Sequence, residues 1–441
     1  MGAAEVPIKP GSQLGLDQAV RIALAIHPRE LESQSRVGVA AGALGAAKSV
    51  LLPQAYSATD YLRSTENGIG NTAYFADWGM FGFPRWTGRN HNLGVGNFSQ
   101  SSATENNYME GLTVSQFLYD FGRVKGMIDQ RKAQLDEAKA RLKLTNLNLI
   151  FEVNKRYYAL LDAHQIVRVY RQAIVQRREH LHQAEVMAKA DLKPEVDVYI
   201  TKADLARAQM HLVQSENAEA DAKVGLDNAM GLSGRAPQYY LSTPLSWGPV
   251  KESLPDLVKL AFGLRPDLLA LEDEARAAGA VITQYRSDFY PTVESMAGYV
   301  GMGVGLPVVS NGYVGLQMSW PIFNGFRTVS HIEEAKAQEQ TVEHAIQDLE
   351  QRVILQVQTA LLNWQASVDV IRRAIQTRDA SRIELELASK RYVAGLSNVV
   401  ELDDAQRRYV ADDAAYYNAL YGYSVAKAET DWATGRALGN Y

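Results

Sequence analysis

The chain has 441 residues, 46% hydrophobic and 22% charged, with net charge −5 and no cysteine. It holds enough apolar material for a sizeable core, and it excludes disulfide frameworks, thiolate metal sites and thiol nucleophiles together. Its 45 basic and 50 acidic residues are mixed along the whole length, which leaves no basic footprint for nucleic acid.

Residues 1–15 read as an N-terminal extension without a charged-then-apolar export signal, as expected of a mature form with a replaced start. No run of 18 apolar residues follows, so no transmembrane helix is expected. Transmembrane β-strands of about 9 to 11 alternating residues would escape that test. From 16 to 52, Ala, Leu, Glu, Gln and Arg at helical spacing predict a helix, and Pro53 ends it, because a proline pushes its predecessor out of the α region.

A β-hairpin is expected over 55–119, with strands at 55–63 and 110–119. Its connection, 64–107, holds Trp78, Phe81, Phe83, Trp86 and Phe98 among Gly and Asn, and carries no ligand-spaced histidine pair. Asp120 then offers a side-chain oxygen to cap the next helix, with Gly122 easing the turn. That helix, 123–190, contains no proline and no glycine beyond Gly126, and would span on the order of 100 Å at about 1.5 Å per residue. A return helix over 196–230 completes a first repeat, 16–230, and a Pro/Gly/Ser-rich stretch, 231–253, reads as a belt at mid-rod.

The chain is then written again over 254–436, with a tail at 437–441. Leu16 to Leu31 aligns with Leu254 to Leu269, and Pro28 over Pro266 and Pro53 over Pro291 share an offset of 238. Leu118 to Arg123 lies over Ile322 to Arg327, and Ala190 to Asp197 over Ala394 to Glu401, both at an offset of 204. The length difference therefore falls in the first hairpin. The second repeat predicts a helix over 254–290 ended by Pro291, a hairpin over 292–323 and a long helix over 328–394 capped by Asn324 with Gly325. A return helix over 399–435 completes it.

The clearest strand is 313–323, where Val314, Leu316, Met318, Trp320 and Ile322 alternate with Tyr313, Gly315, Gln317 and Ser319. A soluble sheet with one buried face and a lipid-facing sheet would both look like this. Two hairpins give four strands and two unpaired edges, too few to close a barrel, so a membrane role would require several chains to share one.

These features together resemble the TolC-like outer-membrane efflux proteins of Gram-negative bacteria, over about residues 14–436. The carriers are the duplicated starts Ala23-Leu24…Pro28 and Ala261-Phe262…Pro266, the joint Pro321-Ile-Phe-Asn-Gly, and Tyr392-Val-Ala-Gly-Leu…Val400-Glu-Leu-Asp-Asp-Ala-Gln406 at a helix turn. The resemblance implies a mainly α fold with a membrane β-barrel portion. An internally duplicated long-helix protomer would form a homotrimer whose 12-stranded barrel continues as a periplasmic α-helical barrel. It implies a passive exit duct in the outer membrane, in contact with its lipid, docked onto a periplasmic adaptor and an inner-membrane efflux pump or ABC exporter. Drugs or other small molecules would be the cargo. A type I protein secretion channel is the alternative with the same fold, and a periplasmic coiled-coil scaffold the alternative without a channel.

Two groups of residues are candidates for function. At the helix turns, Gly395 suits a left-handed residue and Asp191 tolerates that conformation in the first repeat. The resemblance makes Ala190, Asp191, Leu192, Ala394, Gly395, Leu396 and Ser397 the adaptor contacts; otherwise they are plain helix connections. Lys193-Pro194 replaces Ser397-Asn398, so the two turns differ. Glu401 and Asp404, three apart, share a helix face. They match an acidic periplasmic aperture in similar proteins, and without the resemblance would read as a solvated face. Pro53, Asp120, Pro291 and Asn324 mark the helix–strand joints. His180 and His182 fall on different faces and no His-Glu-x-x-His occurs, so no metal site, cofactor or catalytic group is expected.

Overall fold

Proline placement sets the rhythm of the chain. In the computed structural model, which describes residues 8–65, 104–304 and 306–440, the first half begins with β1 (Ser12–Leu14), α1 (Leu16–Ile26), α2 (Pro28–Ser49) and β2 (Gln54–Thr65). It continues through β3 (Thr104–Tyr119), α3 (Arg123–Lys189) and α4 (Glu195–Ala229). After β4 (Tyr239–Leu241) come α5 (Leu254–Leu264), α6 (Pro266–Ser287), β5 (Thr292–Val304), β6 (Val309–Ser319), α7 (Arg327–Val393) and α8 (Val399–Ala433). A 3-10 turn, Arg436–Asn440, closes the chain. The aromatic-rich part of the expected connection 64–107, with Trp78, Phe81, Phe83, Trp86 and Phe98, lies outside the described residues.

The opening helices, expected to be single over 16–52 and 254–290, are each two. Pro28 and Pro266 have no N–H and force the residue before them into extended backbone, with ψ of 131° at His27 and 121° at Arg265. The chain restarts with proline as the first helical residue, where the missing donor costs nothing. Both second helices stop short of Pro53 and Pro291, through turns in which Leu52 N–H donates to Ser49 O and Tyr290 N–H to Ser287 O.

The described residues form two compact units. The first takes them from Met1–Val39, Leu135–Glu274 and Thr341–Tyr441, the second from Ala40–Gln134 and Ala275–Gln340. In the first unit, one core gathers Leu14, Val20, Leu147, Ile150, Tyr157, Leu226 and Met230. The Tyr157 hydroxyl there donates to Leu14 O and accepts from Thr243 N–H. Beside it β1 pairs in parallel with β4, Ser12 opposite Tyr239. The expected extension and the expected belt thus meet as a two-stranded sheet. A second core packs α5 and α6 against α7 and α8 through Leu257, Leu268, Val353, Val357, Trp364, Ile371 and Tyr423.

The return helices end against the proline kinks. Gly231 (φ 77°) and Gly435 (φ 73°) close α4 and α8 in left-handed conformation, with Leu232 N–H donating to Asp227 O and Gly435 N–H to Trp432 O. A Cβ on Gly231 would lie 3.0 Å from His27 Cα, and one on Gly435 would lie 2.9 Å from Leu264 O.

The second unit holds an antiparallel sheet of order β2-β3-β5-β6, so β2 and β6 are edges without a partner among the described residues. The last strand, expected over 313–323, runs Val309–Ser319. Asn311 and Gly312, outside the expected strand, pair with Val300 and Tyr299, and Pro321 offers no donor to continue. Val314, Leu316 and Met318 are respectively 86%, 76% and 67% exposed, so among the described residues this apolar row is uncovered. On the other face Tyr313 lies across β5 and shares a 2.9 Å hydrogen bond with Thr113. Gly298 leaves the room, since a Cβ there would meet the Tyr313 hydroxyl at 2.5 Å.

The joints are tighter than expected. Asp120 is buried and its carboxylate accepts from Gly122 N–H at 3.2 Å and Val124 N–H at 2.7 Å. Asn324 does not repeat this: its amide donates to the Thr328 hydroxyl, because the carboxamide turns its nitrogen toward the helix. Both joints use two successive left-handed residues, Phe121 and Gly122 in one, Gly325 and Phe326 in the other. Phe121 stacks on Tyr290 with ring centroids 4.9 Å apart, a contact that helps hold its backbone conformation.

Candidate docking turns, aperture and membrane sheet

The two turns are built alike. Asp191 (φ 57°) and Gly395 (φ 73°) both follow a long helix, and Leu192 N–H donates to Met187 O as Leu396 N–H does to Arg391 O. This geometry projects Leu192 and Leu396 outward, each 72% exposed. Below them Leu385, Ala388, Tyr392, Val399 and Leu402 form a small core.

The turns are also joined. Lys193 Nζ donates to Ser397 O at 2.8 Å and lies 5.0 Å from the centre of the Tyr392 ring. Burial and the nearby Asp197 carboxylate push the Tyr392 hydroxyl up to about 12. The departure from the repeat at Lys193 therefore ties one turn to the other. Asn398 caps α8 by accepting from Glu401 N–H at 2.9 Å, a role Pro194 cannot take at the head of α4.

Glu401 and Asp404 are both partly exposed, and each has an arginine of its own chain: Arg391 Nε is 3.1 Å from Glu401, and Arg407 binds Asp404. The residue between them matters more than its position suggested. Asp403, one residue off the face shared by Glu401 and Asp404, turns inward to Arg177 at 2.8 Å, and Asp204 joins them from α4. Nothing in the spacing announced this cluster, since Arg177 and Asp403 are 226 residues apart.

Among the described residues no helix is long and apolar enough to cross a membrane, and no group of three His, Asp or Glu is arranged to hold a metal ion. Large apolar side chains are uncovered in the sheet and at its joint, where Trp320, Ile322, Phe323 and Phe326 are exposed and Trp320 Nε1–H donates to Phe289 O. Comparison with known sequences gives a match to the family described as outer membrane efflux protein, over residues 80–232 and 257–436. The chain belongs to this family.

Members of the outer membrane efflux protein family are ducts rather than enzymes, and the chain is an outer-membrane exit duct of a tripartite efflux system. As such it works as a trimer with an adaptor and an inner-membrane pump, its helical part in the periplasm of a Gram-negative cell. It is 26% identical to cation efflux system protein CusC of Escherichia coli O6:H1, over 80% of this chain and 78% of the relative. With outer membrane protein OprJ of Pseudomonas aeruginosa it shares 25% identity over 78% and 74%. Its fold matches the crystal structure of CusC with TM-score 0.78 at 17% identity, covering 99% of this chain and 98% of that one. The open state of the Neisseria gonorrhoeae MtrE channel gives 0.75 at 18% identity, covering 98% and 93%. The TolC-like fold expected from the resemblance is the observed one.

Proposed function

We propose that three copies join their four-stranded sheets edge to edge into one 12-stranded barrel, through which drugs or other small molecules pass without catalysis by this chain. The observation that carries this is the pairing of two open edges, β2 and β6, with an exposed apolar row on the same sheet. In lipid an unpaired edge is prohibitively costly, and an apolar outer face is what lipid requires. Passage is driven by the inner-membrane partner, and the barrel contacts outer-membrane lipid through that face.

Glu401 and Asp404 are proposed as the narrow aperture, with Arg391 and Arg407 balancing their charge. Removing the carboxylates leaves Arg391 without Glu401 and Arg407 with Asp403 as its remaining partner, so two negative charges are lost in each copy while both arginines stay. Detergent-extracted protein in a planar bilayer is therefore expected to conduct with weak cation preference, and the Glu401→Ala/Asp404→Ala double variant to shift toward anions. Absence of conductance in both forms, with solubility in the absence of detergent, would replace the channel by a scaffold.

The turns are proposed as the adaptor contact, comprising Ala190, Asp191, Leu192 and Ala394, Gly395, Leu396, Ser397. Leu192→Asp/Leu396→Asp places a charge on each exposed leucine and is expected to lower the affinity for the cognate adaptor at least about tenfold, measured by titration. Conductance and thermal unfolding should stay as in the parent, because neither side chain is buried.

A further inference from the structure

About three helical turns from the docking turns, three charged groups from three helices are taken almost wholly out of water. The side chain of Arg177 on α3 is 11% exposed, Asp204 on α4 4% and Asp403 on α8 10%. Arg177 Nη1 reaches Asp403 Oδ1 at 2.8 Å and lies 3.7 Å from Asp204 Oδ2. Arg407 Nε lies 2.8 Å from Asp403 Oδ2, so both oxygens of that carboxylate are engaged. Asp204 is less well served: Arg207, half-exposed, lies 2.6 Å from Oδ1, yet that oxygen has no hydrogen bond of acceptable geometry. His180, Thr201, Val399, Leu402 and Gln406 complete the lining of this cleft, and Gln406 donates to Gln176 across the α3·α8 seam at 3.3 Å.

Only one of the three guanidiniums that reach these two buried carboxylates is itself buried; Arg207 and Arg407 are half-exposed and screened by water, so the buried negative charge is incompletely compensated, and that is expensive. We propose that Asp204 and Asp403 share one proton, taken from solvent, and that this proton tightens the clasp by which Arg177 binds the first repeat to α8. With the proton in place, Asp204 becomes a donor to Asp403, and Asp403 and Arg177 remain as a matched pair.

Burial and the facing Asp403 carboxylate push Asp204 up to about 6, while Arg177 and Arg407, against the effect of burial, hold Asp403 below the usual range. The groups that face the pair are Arg177 and His180 from α3, Arg207 from α4 and Arg407 from α8. His180 is itself pushed down, mainly by burial. A raised Asp gives stability that is present at low pH and lost as pH rises from about 4 to about 6. Asp403 works in the opposite sense below its ordinary value. The clasp is therefore tighter at pH 5 than at pH 7.5.

The clasp borrows its importance from the reading of the turns as a docking end, but its test does not. Hydrogen–deuterium exchange of the detergent-solubilised trimer, corrected for intrinsic rate, is compared at pH 5.0 and 7.5 over residues 399–410. The expected result is about tenfold greater protection at pH 5.0. Asp204→Asn, a neutral isostere of the protonated form, should be highly protected at both pH values. Asp162→Asn removes another buried carboxylate on α3, likewise pushed up to about 6, and should leave the response of 399–410 intact. Equal protection at the two pH values in the parent overturns the proposal even where Asp204→Asn fails to assemble. An undiminished pH response in Asp204→Asn overturns it too, as does a response abolished by Asp162→Asn alone. Loss of adaptor binding in the tip variant with this pH response retained would touch only the docking reading.

Discussion

Gly435→Ala is expected to destabilise the protein by about 3 kcal/mol or more, the largest effect of any single methyl addition in the helical unit. The left-handed conformation at φ 73° costs a non-glycine residue about 1–2 kcal/mol. The added Cβ would also sit 2.9 Å from Leu264 O and 3.0 Å from Leu264 C, backbone atoms just before the proline kink that cannot rotate away. Gly234→Ala supplies the control: its φ is 68° and no atom lies within 4 Å of the added carbon. Thermal unfolding should therefore show a loss of about 1 kcal/mol for Gly234→Ala, the conformational part alone. Similar losses in both variants would remove the steric contact from the account.

Arg177→Met is the second large effect. It leaves Asp204 and Asp403 buried with no buried cation, and breaking such a pair from one side costs about 3–5 kcal/mol. The loss should be greatest above pH 6 and smaller near pH 5, where protonation of Asp204 removes part of the uncompensated charge. Exchange over α3, α4 and α8 near the cluster would locate it. Arg177→Met/Asp204→Leu/Asp403→Leu should recover much of the loss, since an apolar replacement of buried ions is often neutral or better. A uniform loss at all pH values would instead point to lost packing of the long arginine side chain.

The parts of the molecule visible in the sequence are those that repeat or that exclude. Residues 127–189 lack both proline and glycine, and that alone foretells a long helix; the offsets of 238 and 204 foretell its partner. Strand alternation was legible at Val314, Leu316 and Met318. Strand limits were not, because pairing with β5 overrides the loop preference of Asn311 and Gly312. The three-residue strands β1 and β4 are too short to carry a period, and their pairing joins residues 227 positions apart. The joint tripeptides Asp-Phe-Gly and Asn-Gly-Phe directed attention to their glycines, whereas the structure also turns Phe121 and Phe326 left-handed.

The charge cluster stayed hidden for a different reason, which is that it breaks the repeat. At an offset of 204, Arg177 corresponds to Ser381, Asp204 to Arg408 and Asp403 to Tyr199, so self-comparison erases it. Glu401 and Asp404 were conspicuous on one helix face, and Arg407 stands three residues beyond Asp404 on the same helix, while Arg391 could be recognised as a partner only once the turn had brought it to Glu401.

The open edges of the four-stranded sheet bear on how the protein is made and inherited. In the proposed barrel neither β2 nor β6 can enter lipid before its neighbour is present, so insertion and assembly have to be one event. A ring closed by three identical joints also fails as a unit. In a cell making equal amounts of parent chain and a variant with a spoiled edge, random assembly leaves only about one ring in eight free of the variant. A recessive-looking lesion in one strand would then act as a dominant one.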